Sequence, residues 1–150
     1  EDYAKIPTGT KIKVTGYKAE WSGEVEVVDA TFEILEGNYV AEATDVTSLL
    51  GNESELIKKQ NMFVAFKGMT VESEAIYKWD GSGQDGDDLY FNASVNGTTV
   101  NFTIEKYLTG SDTEVYQTVK NLKIGDTVDM EGFLYWYEGV NPHITAITVK

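Results

Sequence analysis

Three kinds of residue cluster in this chain could do chemistry. The first is aromatic. Tyr135, Trp136 and Tyr137 are consecutive, and three neighbouring rings cannot all point into one β-structured core, so at least one should be exposed or cover an interface. Trp79, which stands just ahead of a glycine-rich loop, is expected to rise from the opposite rim and form a cleft with Trp136. Paired rings of this kind stack on sugar faces or on bases. The competing reading is that the rings close the mouth of a barrel or bury against the N-terminal segment.

The second cluster is amide- and hydroxyl-rich. Leu89, Phe91, Ala93 and Val95 alternate with Tyr90, Asn92 and Ser94. After the turn Asn96-Gly97, Val100, Phe102 and Ile104 alternate with Thr99, Asn101, Thr103 and Glu105. If the apolar set points inward, Tyr90, Asn92 and Asn101 lie on an outer face that carries one ring, several amides and hydroxyls, and no cation. Such a face suits a sugar, or is an ordinary solvated strand face.

The third cluster is acidic. Asp80, Asp85, Asp87 and Asp88 fall within nine residues, a composition that could bind calcium. Asp85 stands where an EF-hand loop needs glycine, so a solvated hairpin loop is the stronger expectation. His143 has no second histidine or cysteine to complete a metal site and is read as structural.

No nucleophile elbow, phosphate-binding glycine loop or zinc-protease motif occurs in the sequence. The expectation is a non-catalytic protein that needs no cofactor, with a carbohydrate hydrolase as a minor alternative. Asn52, Asn92, Asn96 and Asn101 each begin an Asn-x-Ser/Thr sequon, read here as polar strands and turns.

Charge narrows the partners. The 150 residues carry 12 basic against 25 acidic side chains, a formal net charge of -13, and every basic residue is a lysine. Arginine grips phosphates and guanines bidentately in a way lysine cannot, and a field of this sign repels polyanions. Nucleic acid is therefore disfavoured, and single-stranded oligonucleotide binding stands as the runner-up function. The chain has no cysteine, which excludes a disulfide framework or a thiolate site, and no apolar run long enough to span a bilayer. The opening residues Glu1 to Lys5 read as the middle of a longer chain from which a signal has been removed.

The elements that must position these residues follow from an internal repeat. Sliding the chain by 116 positions sets Gly9-Thr10-Lys11-Ile12-Lys13-Val14-Thr15-Gly16-Tyr17 on Gly125-Asp126-Thr127-Val128-Asp129-Met130-Glu131-Gly132-Phe133. Gly23 falls on Gly139, Val28 on Ile144 and Ala30 on Ala146. Between the copies, Asp45 to Gln60 is expected to form one or two short helical turns, with Asn52 as N-cap.

Asn61 to Glu72 should be a strand interrupted at Gly68 by a bulge. Asn96-Gly97 should close a hairpin between Leu89–Val95 and Thr98–Tyr107. Ser111-Asp112-Thr113-Glu114 fits a capping box ahead of a short helix whose Val115, Val119 and Leu122 face one side. Strands are expected at Thr127 to Tyr137 and His143 to Val149, with Pro142 at a strand entrance.

Three strands, a helix and two strands is the order of an OB-like Greek-key barrel. The fold class is all-β with one or two short helices. It reads as a five-stranded barrel over 61–150, a helical linker over 36–60, and at 1–35 the C-terminal part of an upstream copy. That upstream copy comprises the end of a plug helix at Asp2 to Ile6 and the strands Thr10 to Ala19 and Glu24 to Ile34. Its apolar positions Ile12, Val14, Val25 and Val27 are expected to share a core with the barrel, and its edges could alternatively pair two chains into a homo-oligomer.

The run Gly125 to Gly132 followed by Asn141-Pro142-His143-Ile144-Thr145 resembles the tandem OB-fold repeats of secreted or lipid-anchored proteins from Gram-positive gut bacteria. The similar stretch Gly9 to Ile34 resembles the matching part of a preceding repeat. The resemblance implies an extracellular module, part of a lipoprotein or secreted protein, that binds an unidentified protein or oligosaccharide. It carries no catalytic signature, and fold alone does not assign function.

Overall fold

The computed structural model describes residues 6–150. The expected end of a plug helix falls, apart from Ile6, outside them. Nine strands are described: β1 (Thr10–Trp21), β2 (Glu24–Asn38), β3 (Thr44–Asp45), β4 (Phe63–Val71), β5 (Ile76–Tyr77), β6 (Leu89–Val95), β7 (Thr98–Ile104), β8 (Thr127–Trp136) and β9 (Val140–Val149). Two short α-helices accompany them, α1 (Glu53–Leu56) and α2 (Glu114–Lys120).

Strands β1 and β2 form an antiparallel hairpin of their own, and the others form one sheet in the order β3-β4-β8-β9-β7-β6-β5. A further pairing of β4 with β6, Thr70 opposite Ser94 and Val71 opposite Ala93, closes that sheet into a barrel of β4, β6, β7, β9 and β8. The β7–β9 contact is parallel and α2 lies between β7 and β8 in sequence. This is the OB arrangement expected from the element order.

Local chemistry explains the corners. Gly68 has φ of 62° at the break in register between Phe66 and Met69, which lets β4 bend from β8 toward β6. Asn96 and Gly97 both have positive φ, as the tight β6–β7 turn requires.

Phe66, Phe91 and Phe102 form the centre of the core, with ring centroids 5.1 Å apart for Phe66–Phe102 and 5.6 Å for Phe91–Phe102. Val119 and Leu122 of the plug face the core as expected. The side chain that sequence reasoning passed over is Tyr116, fully buried, whose hydroxyl donates to Asp87 O at 2.6 Å and accepts from Gly86 N at 2.9 Å.

Four expectations need correction. The N-cap of α2 is Thr113, whose hydroxyl accepts from Tyr116 N at 3.2 Å, rather than Ser111, because Gly110 O accepts from Thr113 N in a turn that keeps Ser111 and Asp112 outside the helix. Pro142 lies within β9, opposite Leu134, rather than at its entrance. Val46 and Leu56, from the stretch read as linker, belong to the barrel core, where β3 pairs in parallel with β4.

The fourth correction concerns the hairpin, which shares no core with the barrel. Ile12 and Val14 are 41% and 50% exposed, and Val25, Val27, Phe32 and Ile34 are likewise exposed. Its turn end is bonded to the barrel. There Glu138 N donates to Ser22 O, Asn61 Nδ2 to Val25 O and Gln60 Nε2 to Gly23 O. Trp136 N donates to Glu24 Oε2 at 2.9 Å.

Candidate functional site

A concavity of about 840 Å³ runs across the outer face of β6 and β7. Strand alternation puts Tyr90, Asn92, Asn101, Thr103 and Glu105 on its floor while Leu89, Phe91, Phe102 and Ile104 fill the barrel beneath. Trp79, from the loop between β5 and β6, stands on one rim and is 77% exposed. Tyr137, from the β8–β9 turn, and Trp21, from the hairpin tip, stand on another.

The polar groups on the floor are fixed by each other. Asn101 Nδ2 donates to Asn92 Oδ1 at 2.9 Å, which sets the orientation of both amides. Thr103 Oγ1 donates to Asn141 Oδ1 at 3.1 Å. Asp88 and Glu105 are the charged lining residues, both acidic, and no lysine among the described residues lines the groove. Burial raises the Tyr90 hydroxyl pKa, with the charges of Asp88 and Glu105 adding to the rise. His143 has its pKa pushed down to about 4 by burial, against the opposing pull of Asp88, and its ring lies 4.2 Å from that of Tyr135. It therefore sits neutral at physiological pH.

Five of the residues singled out from sequence, Trp79, Tyr90, Asn92, Asn101 and Tyr137, come together in this groove. Tyr135 and Trp136 line a smaller hollow of about 240 Å³ beside it, which shares Trp21, Tyr137, Asn141 and His143. Trp136 is only 7% exposed and belongs to the core, so the expected cleft between Trp79 and Trp136 does not form. Strand parity is the reason: Trp136 continues the inward series Val128, Met130, Leu134, and Tyr135 and Tyr137 take the other side. Its indole is further covered by the hairpin turn, where a Cβ on Gly23 would lie 2.9 Å from Trp136 Cδ1.

Trp21, which the repeat sets in the matching place of the first copy and which is read from sequence as framework, also forms a wall of the groove. The signal was available, since the 116-residue offset sets Trp21 on Tyr137.

The acidic loop does not gather its carboxylates. Asp80 accepts from Ser82 N and Oγ, and Asp85 pairs with Lys120 at 3.0 Å. Asp87 accepts from Gln84 N and pairs with Lys106, and Asp88 accepts from Lys106 N. Bonds from Ser82 and from Gln84 N hold the Asp80 and Asp87 carboxyls below the usual range. The four point to different partners, and among the described residues no group of three or more His, Cys, Asp or Glu is arranged to hold a metal ion.

No family model matches the chain, and no curated protein matches it. Among solved structures it is similar to asparaginyl-tRNA synthetase from Pyrococcus horikoshii, with 16% identity and a TM-score of 0.47, over 61% of this chain and 20% of that one. The same enzyme complexed with asparaginyl-adenylate gives 15% identity and a TM-score of 0.45 over the same shares. The chain thus spans about a fifth of the length of the protein it matches. The class, an OB-like barrel with a groove across its second and third barrel strands, is defined by the strand order and the closing β4–β6 pairing. No helix among the described residues is long and apolar enough to cross a membrane.

Proposed function

We propose that this chain is a non-catalytic, extracellular OB-fold binding module of a secreted or lipid-anchored bacterial protein, and that its groove takes a neutral, hydroxyl-rich polymer such as an oligosaccharide. The observation that carries this reading is the lining itself: Trp21, Trp79, Tyr90 and Tyr137 around fixed amides, with carboxylates and, among the described residues, no cation. Aromatic faces cover the apolar faces of sugar rings, oriented amides donate to and accept from their hydroxyls, and carboxylates accept from them.

Single-stranded nucleic acid is the second reading, favoured by the use of this face in other OB barrels. It meets a groove whose charged side chains, Asp88 and Glu105, repel phosphate, in a chain of net charge -13.

Tryptophan fluorescence separates the two, because Trp21 and Trp79 are exposed at the groove while Trp136 is buried. Titration with neutral oligosaccharides should change the emission equally at low and high salt. A quench by oligonucleotides that weakens as salt rises would reverse the order. Release of product from either ligand would refute the non-catalytic assignment.

A further inference from the structure

The hairpin repeats the plan of β8–β9 at an offset of 116 residues. Ser22 and Gly23 have positive φ in the β1–β2 turn, and Glu138 and Gly139, 116 positions on, have positive φ in the β8–β9 turn. Both ladders lose register at the same place, between Thr15 and Tyr17 in one and between Glu131 and Gly132 in the other. At that point a Cβ on Gly16 would lie 2.6 Å from Val27 Cγ1 and 2.8 Å from Val28 O. On Gly132 it would lie 2.1 Å from His143 O and 2.8 Å from Ile144 Cα, again the residues 116 positions on. Turn dihedrals, the place of the bulge and the residues facing the glycine recur at that offset, with β2 paired one residue out of step: Thr15 faces Thr31 where Glu131 faces Ala146.

The two copies differ in what covers them. Val128 and Met130 are 0% and 1% exposed beneath β4, β6, β7 and α2, whereas their equivalents Ile12 and Val14 lie open. Cross-strand pairing puts Ile34 opposite Ile12 and Phe32 opposite Val14, so the open face is a continuous apolar one. The opposite face carries the ion pair Lys13–Glu33 at 2.8 Å. The edges differ as well. β8 pairs outward with β4 and β9 with β7, while β1 and β2 pair only with each other among the described residues.

We infer that the hairpin's apolar face is half of a second OB-barrel core. Its occupant is a three-stranded sheet equivalent to β4, β6 and β7, carried ahead of the hairpin in the same polypeptide, as those strands precede β8 in the barrel. One strand runs antiparallel to β1 along its free edge, another parallel to β2, and apolar side chains from all three cover Ile12, Val14, Phe32 and Ile34. The repeat spacing puts the first of these strands about 55 residues ahead of Glu1. A second copy of the 150-residue chain cannot supply them from its own barrel, whose strands are already closed on one another.

Hydrogen exchange on this chain, and on the chain lengthened by its natural upstream coding sequence, tests the assignment. The lengthened chain should slow exchange of outward-facing β1 and β2 amides by at least about tenfold and abolish binding of an apolar dye. In it, Phe32→Asp should restore dye binding and fast exchange in the hairpin while leaving β6 and β7 protected; Lys13→Ala, on the other face, should do neither. Unchanged exchange and dye binding on lengthening, or an upstream sequence without three strands, would overturn the proposal. So would a dimer of the 150-residue chain that protects the same amides and dissociates on Phe32→Asp, since a second copy would then be the occupant.

Discussion

The rings of Trp21 and Tyr137 meet with centroids 5.1 Å apart and planes inclined at 53°. These residues hold the same place in the two hairpins, one at the tip of β1 and one just past β8. Their contact ties the hairpin to the barrel and at the same time builds one wall of the groove. A double-mutant cycle on Trp21→Ala and Tyr137→Ala, read by denaturant unfolding of the hairpin, should give a coupling of about 1 kcal/mol. Additive effects of the two substitutions would show that the rings are neighbours without energetic consequence.

The two remaining tryptophans should separate binding from stability. Trp79→Ala removes an exposed ring from the groove rim and should weaken ligand binding by roughly 1 to 3 kcal/mol with the melting temperature unchanged. Trp136→Ala empties a core position under the hairpin turn and should destabilise the fold by about 3 to 5 kcal/mol. Calorimetric titration and thermal unfolding of both variants check the split. Loss of binding confined to Trp136→Ala would contradict the placement of the site.

The fold should lose stability as pH falls from about 6.5 to about 4, and His143 should be the cause. Its folded pKa of about 4 lies below the ordinary 6.5, so the unfolded chain takes up the proton first and stability is complete only above 6.5. The ring faces Tyr135, Asn141 and the more distant charge of Asp88. Full expression of the shift would be worth about 3 kcal/mol, and partial exposure of the side chain reduces this to about 2. Asp129, held low by Lys150 and by Gly68 N, loses its contribution only in more acidic solution. Urea unfolding of the native chain and of His143→Phe between pH 4 and 7 should give converging slopes only if another group titrates in this window.

Much of the fold was legible because alternation and turn chemistry agree. The inward and outward sets of β6 and β7, the Asn96-Gly97 turn and the Gly68 bend were readable from period and residue type, and they fix the groove floor. Strand β3 was not readable, since two residues carry no period and its parallel pairing with β4 is a tertiary event. Trp136 was misplaced because the three aromatics were weighed as a group instead of by strand parity. The hairpin was expected to share a core with the barrel and does not, because a sequence pattern marks an apolar face without saying what covers it.

The anchoring of the hairpin tip has a mechanical consequence. Bonds from Gln60, Asn61, Trp136 and Glu138 reach five successive hairpin residues together with the Trp21–Tyr137 contact, so the joint behaves as a rivet and not as a tether. Whatever is built on the far end of β1 and β2 inherits a fixed heading relative to the groove. A long polymer lying in that groove would meet the neighbouring unit at a set distance and angle. Avidity along such a ligand would then depend on whether the ligand's own repeat matches that pitch.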